Sequence, residues 1–310
     1  MSMRITQSMM ATNVLNNLSN DLQSMQTAEN QESTGLAVTL PSDNPLATSQ
    51  IMSLNTSISM QGMYYSNMQS ASSFLSTTDS ALSDTVSSLQ QVQSLVTEGA
   101  NGTENAGDMS TIGQQVNQVI GQLVQTGNTM NGSQYVFGGT QTTTPPLATT
   151  TDASGDITAV TYQGNSGQIN YEVAQGVQMT VNTNGNDLFQ TTGSTTTGNT
   201  TMFNTLIGIK DDLTNDDTTD LSSSLTQLTD IITNVESQQA TVGAQEDRLS
   251  SAMTRNQSDN TAMTTTLSNL QDVDMDQASV DFSEKSNVYQ AALEVAAKMI
   301  TPTLVDYLND

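Results

Sequence analysis

Residues 51–96 read IMSLNTSISMQGMYYSNMQSASSFLSTTDSALSDTVSSLQQVQSLV, and this stretch decides the fold. Alternating steps of three and four residues from Ile51 to Val96 reach fourteen positions, and ten of these positions are apolar. That spacing lines the apolar side chains along one stripe of an α-helix. A turn at 41–45 precedes it, where Asp43 or Asn44 can cap the helix. The sequence therefore predicts one helix of about 70 Å.

A second stripe of the same kind runs from Leu221 to Leu270, with eleven of fifteen positions apolar. It predicts a helix of about 75 Å. Two helices of matched length on either side of an insert are what an antiparallel pair requires. We expect a long antiparallel helical bundle with an apolar seam formed by Ile51, Leu54, Ile58, Leu75, Leu82, Val86, Leu89, Leu225, Leu228, Ile232, Val235, Val242 and Leu249.

The middle of the chain has a different period. A third helical stripe ends near Met130, and Tyr135-Val136-Phe137-Gly138-Gly139 has the composition of a strand. Residues 157–162, 168–173 and 177–181 alternate apolar with polar side chains between Gly and Asn turns, which is typical of short, half-buried strands. The predicted fold class is therefore mainly α with a small β-rich insert in the middle of the chain.

The two ends of the chain carry coiled-coil-like stripes of their own. Such a stripe must be buried against another helix, and these ends have few partners within one chain. We expect them to pack against neighbouring subunits through Leu15, Leu18, Leu22, Met25, Phe282, Tyr289, Ala292, Ala296, Met299, Leu304 and Leu308. The predicted domains are a terminal region (1–44 with 271–310), a helical bundle (45–139 with 200–270) and a β-rich surface insert (140–199).

The composition excludes several classes of function. The chain of 310 residues has 31 acidic and 6 basic side chains, a formal charge of −25, and neither Cys nor His. Without thiols or imidazoles it cannot form a Cys–His nucleophile, a Ser-His-Asp triad, a thiolate or imidazole metal site or a disulfide. So negative a chain is a poor partner for nucleic acid. We expect no enzymatic activity and no cofactor.

The beginning of the chain predicts neither a cleaved secretory signal nor a membrane anchor. Met1 to Met10 contains one positive charge with no apolar segment behind it. No window approaches the roughly 18 consecutive apolar residues that a membrane-spanning helix needs. We therefore expect no membrane insertion.

Two acidic segments are candidate sites. Asp272-Val273-Asp274-Met275-Asp276 mimics the start of an EF-hand loop, but Gln277 stands where that loop needs Gly and Ser283 where it needs Glu. Helix capping and a domain hinge are the favoured interpretations. The pair Asp211-Asp212 has neither a cleft nor a cationic counterpart in the sequence, which favours a solvated turn over acid–base catalysis.

Several segments together resemble the bacterial flagellin superfamily. They are Met3-Arg4-Ile5-Thr6, Ser33-Thr34-Gly35 with Pro41-Ser42-Asp43-Asn44-Pro45, Gly243-Ala244-Gln245 with Arg248-Leu249, and Leu270-Gln271-Asp272-Val273-Asp274-Met275. Within it the chain is closer to the hook-associated protein 3 family, the hook–filament junction proteins, because Tyr135, Phe137 and Gly139 match a motif of that family. The family's usual basic residue after the first Gly is missing, since Leu36 and Ala37 follow Gly35.

The resemblance implies a structural protein of the flagellum. Such a protein is exported through the flagellar type III apparatus without a cleaved signal peptide and is extracellular, forming a junction ring between hook and filament. The implied partners are copies of itself, hook-associated protein 1 on the hook side, flagellin and an export chaperone. Two alternatives stay open: a flagellin that builds the filament, and an adhesin-like surface fibre whose β insert binds a receptor or glycan.

Overall fold

The computed structural model describes residues 7–100, 105–189, 201–215, 217 and 221–300, and the side chains of all of these except 7, 8, 299 and 300. Helices dominate, and short strands occur only in the middle of the described chain, so the predicted fold class is confirmed. The helices are α1 (Gln7–Thr34), α2 (Pro45–Ala100), α3 (Ala106–Gly127), α4 (Gly185–Phe189), α5 (Thr201–Thr214), α6 (Leu221–Gln271) and α7 (Met275–Ile300).

The strands form three separate antiparallel ribbons of two strands each in the described chain. β1 (Met130–Asn131) pairs with β2 (Gln134–Tyr135), β3 (Leu147–Thr151) with β4 (Ile157–Tyr162), and β5 (Asn170–Ala174) with β6 (Val177–Thr180). Each two-stranded ribbon is only marginally stable alone. The ribbon β3–β4 packs on α3, and β4 also packs on α5, which supplies the missing support.

The chain divides into two compact units. Of the described residues, unit 1 contains those up to Met60 and those from Ser258 onward, and unit 2 contains those between Gln61 and Gln257. In unit 2 the long helices α2 and α6 run antiparallel. The side chain of Gln93 bonds to Thr229 at 3.3 Å, and that of Asn256 bonds to the carbonyl oxygen of Gln61 at 3.2 Å. Gln93, near the end of α2, contacts Thr229 near the start of α6, and Gln61, nearer the start of α2, contacts Asn256 farther along α6. This order of contacts is that of an antiparallel pair.

Hydroxyl side chains fit into these long helices because they bond to their own backbone. Thr78 and Thr85 of α2 are buried, and each donates to the carbonyl oxygen four residues earlier, at 2.8 Å and 2.7 Å. The bond satisfies a polar group that would otherwise cost free energy to bury. A helix rich in Ser and Thr can therefore still present a buried face.

In unit 2, Asn117 of α3 joins the ribbon to the helices. Its side chain donates to the Asp156 carboxylate and accepts from the Ile157 backbone N–H, both at 3.0 Å. Asn117 is itself buried. It fixes the start of β4 against α3.

In unit 1, the segments that follow α1 and α6 pair with each other. Leu36 and Asp272 form an antiparallel bridge. The Ala37 N–H donates to the Gln271 carbonyl at 2.7 Å, and the Val273 N–H donates to the Gly35 carbonyl at 2.9 Å. None of the helices that the structure describes combines the length and the apolar content of a membrane-spanning segment.

Candidate functional site

The paired helices α1 and α7 of unit 1 form the candidate assembly region. The two helices pack closely against each other. Ala28 of α1 and Ala278 and Ala296 of α7 are buried, and small side chains at a contact allow two helix axes to approach. The terminal helices thus have a partner within the chain.

The predicted interface residues occupy different environments. Leu15 is 54% exposed, while Leu18, Leu22, Met25, Phe282, Tyr289 and Ala292 are half-buried and Ala296 is buried. The side chain of Met299 and the residues Leu304 and Leu308 lie outside the described residues. Contact of this set with neighbouring subunits stays a prediction.

A second apolar face of α7 is exposed, and the heptad-like spacing of the sequence did not predict it. Val280, Val288 and Val295 are 60%, 49% and 54% exposed. With Ala291, which is also exposed, they fall within about 80° of the helix circumference. We call these four residues the valine face. The buried Ala278 and Ala296 lie on a different side of the helix, so α7 is apolar on two sides.

The described start of α1 adds further exposed apolar surface. Met9 is 56% and Met10 38% exposed, in addition to Leu15. Scattered apolar side chains are ordinary on protein surfaces, but a continuous stripe on a helix marks an interaction surface. The valine face places four apolar side chains on one side of α7, with the exposed Glu284 between them, and is a better candidate for such a surface than the α1 residues.

The connection between α1 and α2 is held by side chains that the resemblance singled out. Gly35 adopts a φ of 71°, the left-handed conformation that ends α1. The Asp43 carboxylate accepts from the Leu40 N–H at 2.9 Å and from the Thr39 N–H at 3.3 Å. These bonds, the one from Leu40 above all, lower the pKa of Asp43. Asn44 caps α2 by accepting from the Ala47 N–H at 3.0 Å.

The favoured interpretation of Asp272–Asp276 as a helix cap is confirmed. The Asp274 carboxylate accepts from the backbone N–H groups of Asp276 and Gln277 at 3.0 Å and 3.3 Å, at the start of α7. Among the residues that the structure describes, no group of three acidic side chains is arranged to hold a metal ion.

The family motif residues Tyr135, Phe137 and Gly139 lie in unit 2. Phe137 is buried, Tyr135 is half-buried, and Gly139 has a φ of 65°. A Cβ at Gly139 would overlap the backbone carbonyl of Asn165. The Asn165 side chain in turn accepts from the Thr140 N–H and the Gly167 N–H, both at 2.9 Å.

Phe137 belongs to an aromatic cluster that the sequence pattern did not predict. The ring of Phe189 lies 5.8 Å from those of Phe137 and Phe203 and 6.2 Å from that of Tyr162. The Tyr162 hydroxyl donates to the Phe137 carbonyl at 2.8 Å. Burial, with the nearby Asp187 carboxylate as a second cause, raises the pKa of Tyr162 to about 12. The sequence offered one signal for this cluster. The chain has only five phenylalanines, and three of them lie in it.

The predicted seam residues are mostly buried. Ile51, Leu75, Leu82, Leu89, Leu228, Ile232, Val235, Val242 and Leu249 are buried, and Leu54, Ile58, Val86 and Leu225 are half-buried. Their burial along the long helices stabilises the scaffold that carries the other features.

Two family models match the chain. The bacterial flagellin N-terminal helical region matches residues 5–142, and the bacterial flagellin C-terminal helical region matches residues 225–308. The first match spans the motif residues Tyr135 and Gly139, and the second spans most of α6 and all of α7.

Individual relatives point the same way. Flagellar hook-associated protein 3 of Salmonella typhimurium is 26% identical over 188 residues, which cover 60% of this chain and 57% of the relative. Flagellin of Clostridium tyrobutyricum is 28% identical over 127 residues, covering 41% of this chain and 34% of the relative. The chain thus spans little more than half the length of the first of these curated relatives.

The fold is also shared with a solved structure. Flagellar hook-associated protein 3 from Legionella pneumophila superposes with a TM-score of 0.61 at 17% identity, over 71% of this chain and 98% of that one. The likeness shows a common fold. Because the two family models together match well over half of the residues, at both helical ends, the chain belongs to the bacterial flagellin family.

Proposed function

We propose that the chain is a structural component of the bacterial flagellum that joins hook to filament as a junction ring. The observation that carries the proposal is the valine face of α7, exposed in a protein whose helical ends are of the flagellin type. The similarity to hook-associated protein 3 supports the junction rather than the filament as its place.

The physical task of such a component is to hold neighbouring subunits together without chemistry. Burying apolar surface contributes about 25 cal/mol per Å². Subunits with a formal charge of −25 repel one another, so apolar packing of terminal helices must outweigh that repulsion. The same charges are screened by salt, and assembly should therefore strengthen as ionic strength rises.

The proposed partners follow from the position of the ring. Copies of the chain pack side by side, hook-associated protein 1 contacts them on the hook side, and flagellin contacts them on the filament side. An export chaperone holds the C-terminal helix before secretion. The protein is extracellular, leaves the cell without a cleaved signal peptide, and acts by assembly rather than by catalysis.

A gene deletion tests this proposal. The mutant should bear hooks without filaments and release flagellin into the medium, and a plasmid copy should restore filaments. A deletion strain that still carries normal filaments would refute the junction role.

A flagellin is the second candidate, favoured by the similarity to the Clostridium protein. The amount of the chain in sheared filaments separates the two functions. A flagellin forms the bulk of the filament, whereas a junction protein is present only in traces.

A further inference from the structure

A surface groove of about 500 Å³ lies in unit 2 between α2, the β1–β2 hairpin and β5. Phe74, which is buried, lies at its base, and Tyr171 forms one side. Its size is within the range of small-ligand sites in proteins, about 300–1,000 Å³. The groove is separate from the predicted seam residues of the bundle and from the valine face.

The walls of the groove are held in place by hydrogen bonds between elements. The Asn131 side chain in the hairpin donates to the Ser73 hydroxyl on α2 at 3.2 Å. The Asn67 side chain on α2 donates to the carbonyl oxygen of Glu172, beside Tyr171, at 3.1 Å. The hairpin and β5 are therefore both fixed to α2, and the groove is formed before any ligand arrives, which lowers the cost of binding.

Neutral polar side chains line this groove. Gln69 and Gln134, which are exposed, and Tyr171, which is half-buried, contribute two amides and a phenol to its lining. Amides and a phenol can both donate and accept. None of the lining side chains carries a charge, so the groove offers no ion pair to an ionic ligand.

We propose that this groove binds a neutral carbohydrate. Sugar hydroxyls donate and accept in the same way as the Gln69 and Gln134 amides, and the apolar C–H face of a sugar ring packs on an aromatic ring such as Tyr171. An anionic sugar is disfavoured because the net charge of −25 repels it. The inference rests on the groove alone and does not depend on the proposed function.

Calorimetric titration of the full chain tests this inference, with lactose, maltose, cellobiose and N,N′-diacetylchitobiose as probes and glucuronic acid as the anionic comparison. The variants are Gln69→Ala, Gln134→Ala, Tyr171→Ala and Tyr171→Phe. Gln122→Ala is the matched control, because Gln122 is exposed on α3 and does not line the groove. Circular dichroism verifies that each variant is folded, and the two exposed glutamines provide the test should Tyr171→Ala fail to fold.

The expected result is saturable binding of at least one neutral probe. Gln69→Ala, Gln134→Ala and Tyr171→Ala should each weaken it by about tenfold, the effect of losing roughly 1.4 kcal/mol of contact. Tyr171→Phe should weaken it less, and Gln122→Ala should leave it unchanged. The proposal is overturned if no neutral probe binds at about 10 mM, if glucuronic acid binds as tightly, or if the groove variants bind as well as the control.

Discussion

The side-chain nitrogen of Lys210 lies 3.2 Å from the carbonyl oxygen of Ile157, tying α5 to the first residue of β4. The same nitrogen lies 2.9 Å from the Asp211 carboxylate, and the Lys210 side chain is only 7% exposed. The interpretation that Asp211 has no cationic counterpart was therefore wrong. Lys210, one of only six basic residues, thus holds the β3–β4 ribbon to α5.

Replacing Lys210 should destabilise unit 2. Lys210→Ala removes a buried donor and leaves a cavity, and we expect a loss of about 2–3 kcal/mol in the free energy of unfolding. Lys210→Met keeps most of the volume and should cost about 1 kcal/mol. Urea unfolding measures both. The exposed Lys298→Ala is the control, and equal stability of all three variants would show that the buried lysine contributes nothing.

Gly139 and Gly132 offer a matched pair of substitutions. Both have positive φ, 65° and 61°, but a Cβ at Gly139 overlaps Asn165 whereas one at Gly132 meets no atom within 4 Å. Gly132→Ala should cost about 1–2 kcal/mol from backbone strain alone. Gly139→Ala adds overpacking and should cost about 3 kcal/mol or more. Thermal unfolding compares the two, and indistinguishable melting temperatures would contradict the close packing of the motif.

Glu246 should make stability depend on pH. Partial burial, followed by the charges of Asp79 and Asp247, raises the pKa of Glu246. A carboxyl whose pKa is higher in the folded state stabilises the fold at low pH, and this contribution is lost as the pH rises through the folded pKa. Glu246→Gln should therefore stabilise the protein at pH 7, by less at high salt.

The pH profile of that variant is the check. The advantage of Glu246→Gln over the wild type should shrink as the pH is lowered into the acid range, where the carboxyl is protonated. Glu236→Gln, at an exposed position on the same helix, is the control. A gain that persists unchanged at acid pH would rule out the carboxylate as its cause.

The valine face predicts a defect in assembly without a defect in folding. Val288→Asp and Val295→Asp place a charge on an exposed apolar surface, so helix content should stay unchanged while filaments are lost in complemented deletion cells. Gln290→Asp adds the same charge at an exposed position on another side of α7. Electron microscopy of the cells gives the count of filaments. Normal filaments in both valine variants would remove this face from the assembly.

The long helices were predictable because their apolar period repeats many times. α2 and α6 follow the predicted bounds closely, as do Gly35 at the end of α1 and Asn44 as a cap. Because the apolar period repeats over more than ten turns, it predicts the helix even where a seam position is polar, as at Gln61.

Local detail in the middle of the chain was harder to predict. α3 ends at Gly127 rather than near Met130, because Met130 and Asn131 form a strand that the Gly132–Ser133 turn joins to β2 in a hairpin. The segment Tyr135–Gly139 was expected to be a strand, but only Tyr135 lies in one. The left-handed Gly139 turns the chain toward Asn165, a residue distant in sequence. β3 went unpredicted because LATTT shows no alternation.

The candidate site was predictable only in part. The apolar period predicted that α7 packs against another helix. That period identifies a single face of the helix, and the valine face lies on a different side of α7. The pairing of α1 with α7 within the chain is a tertiary contact, which no local pattern encodes.

Localisation on isolated hook–filament structures tests the central claim most directly. A gold-labelled antibody against this chain should bind in one narrow band at the boundary between hook and filament. Label spread along the whole filament, or label absent from the boundary, would contradict a junction protein.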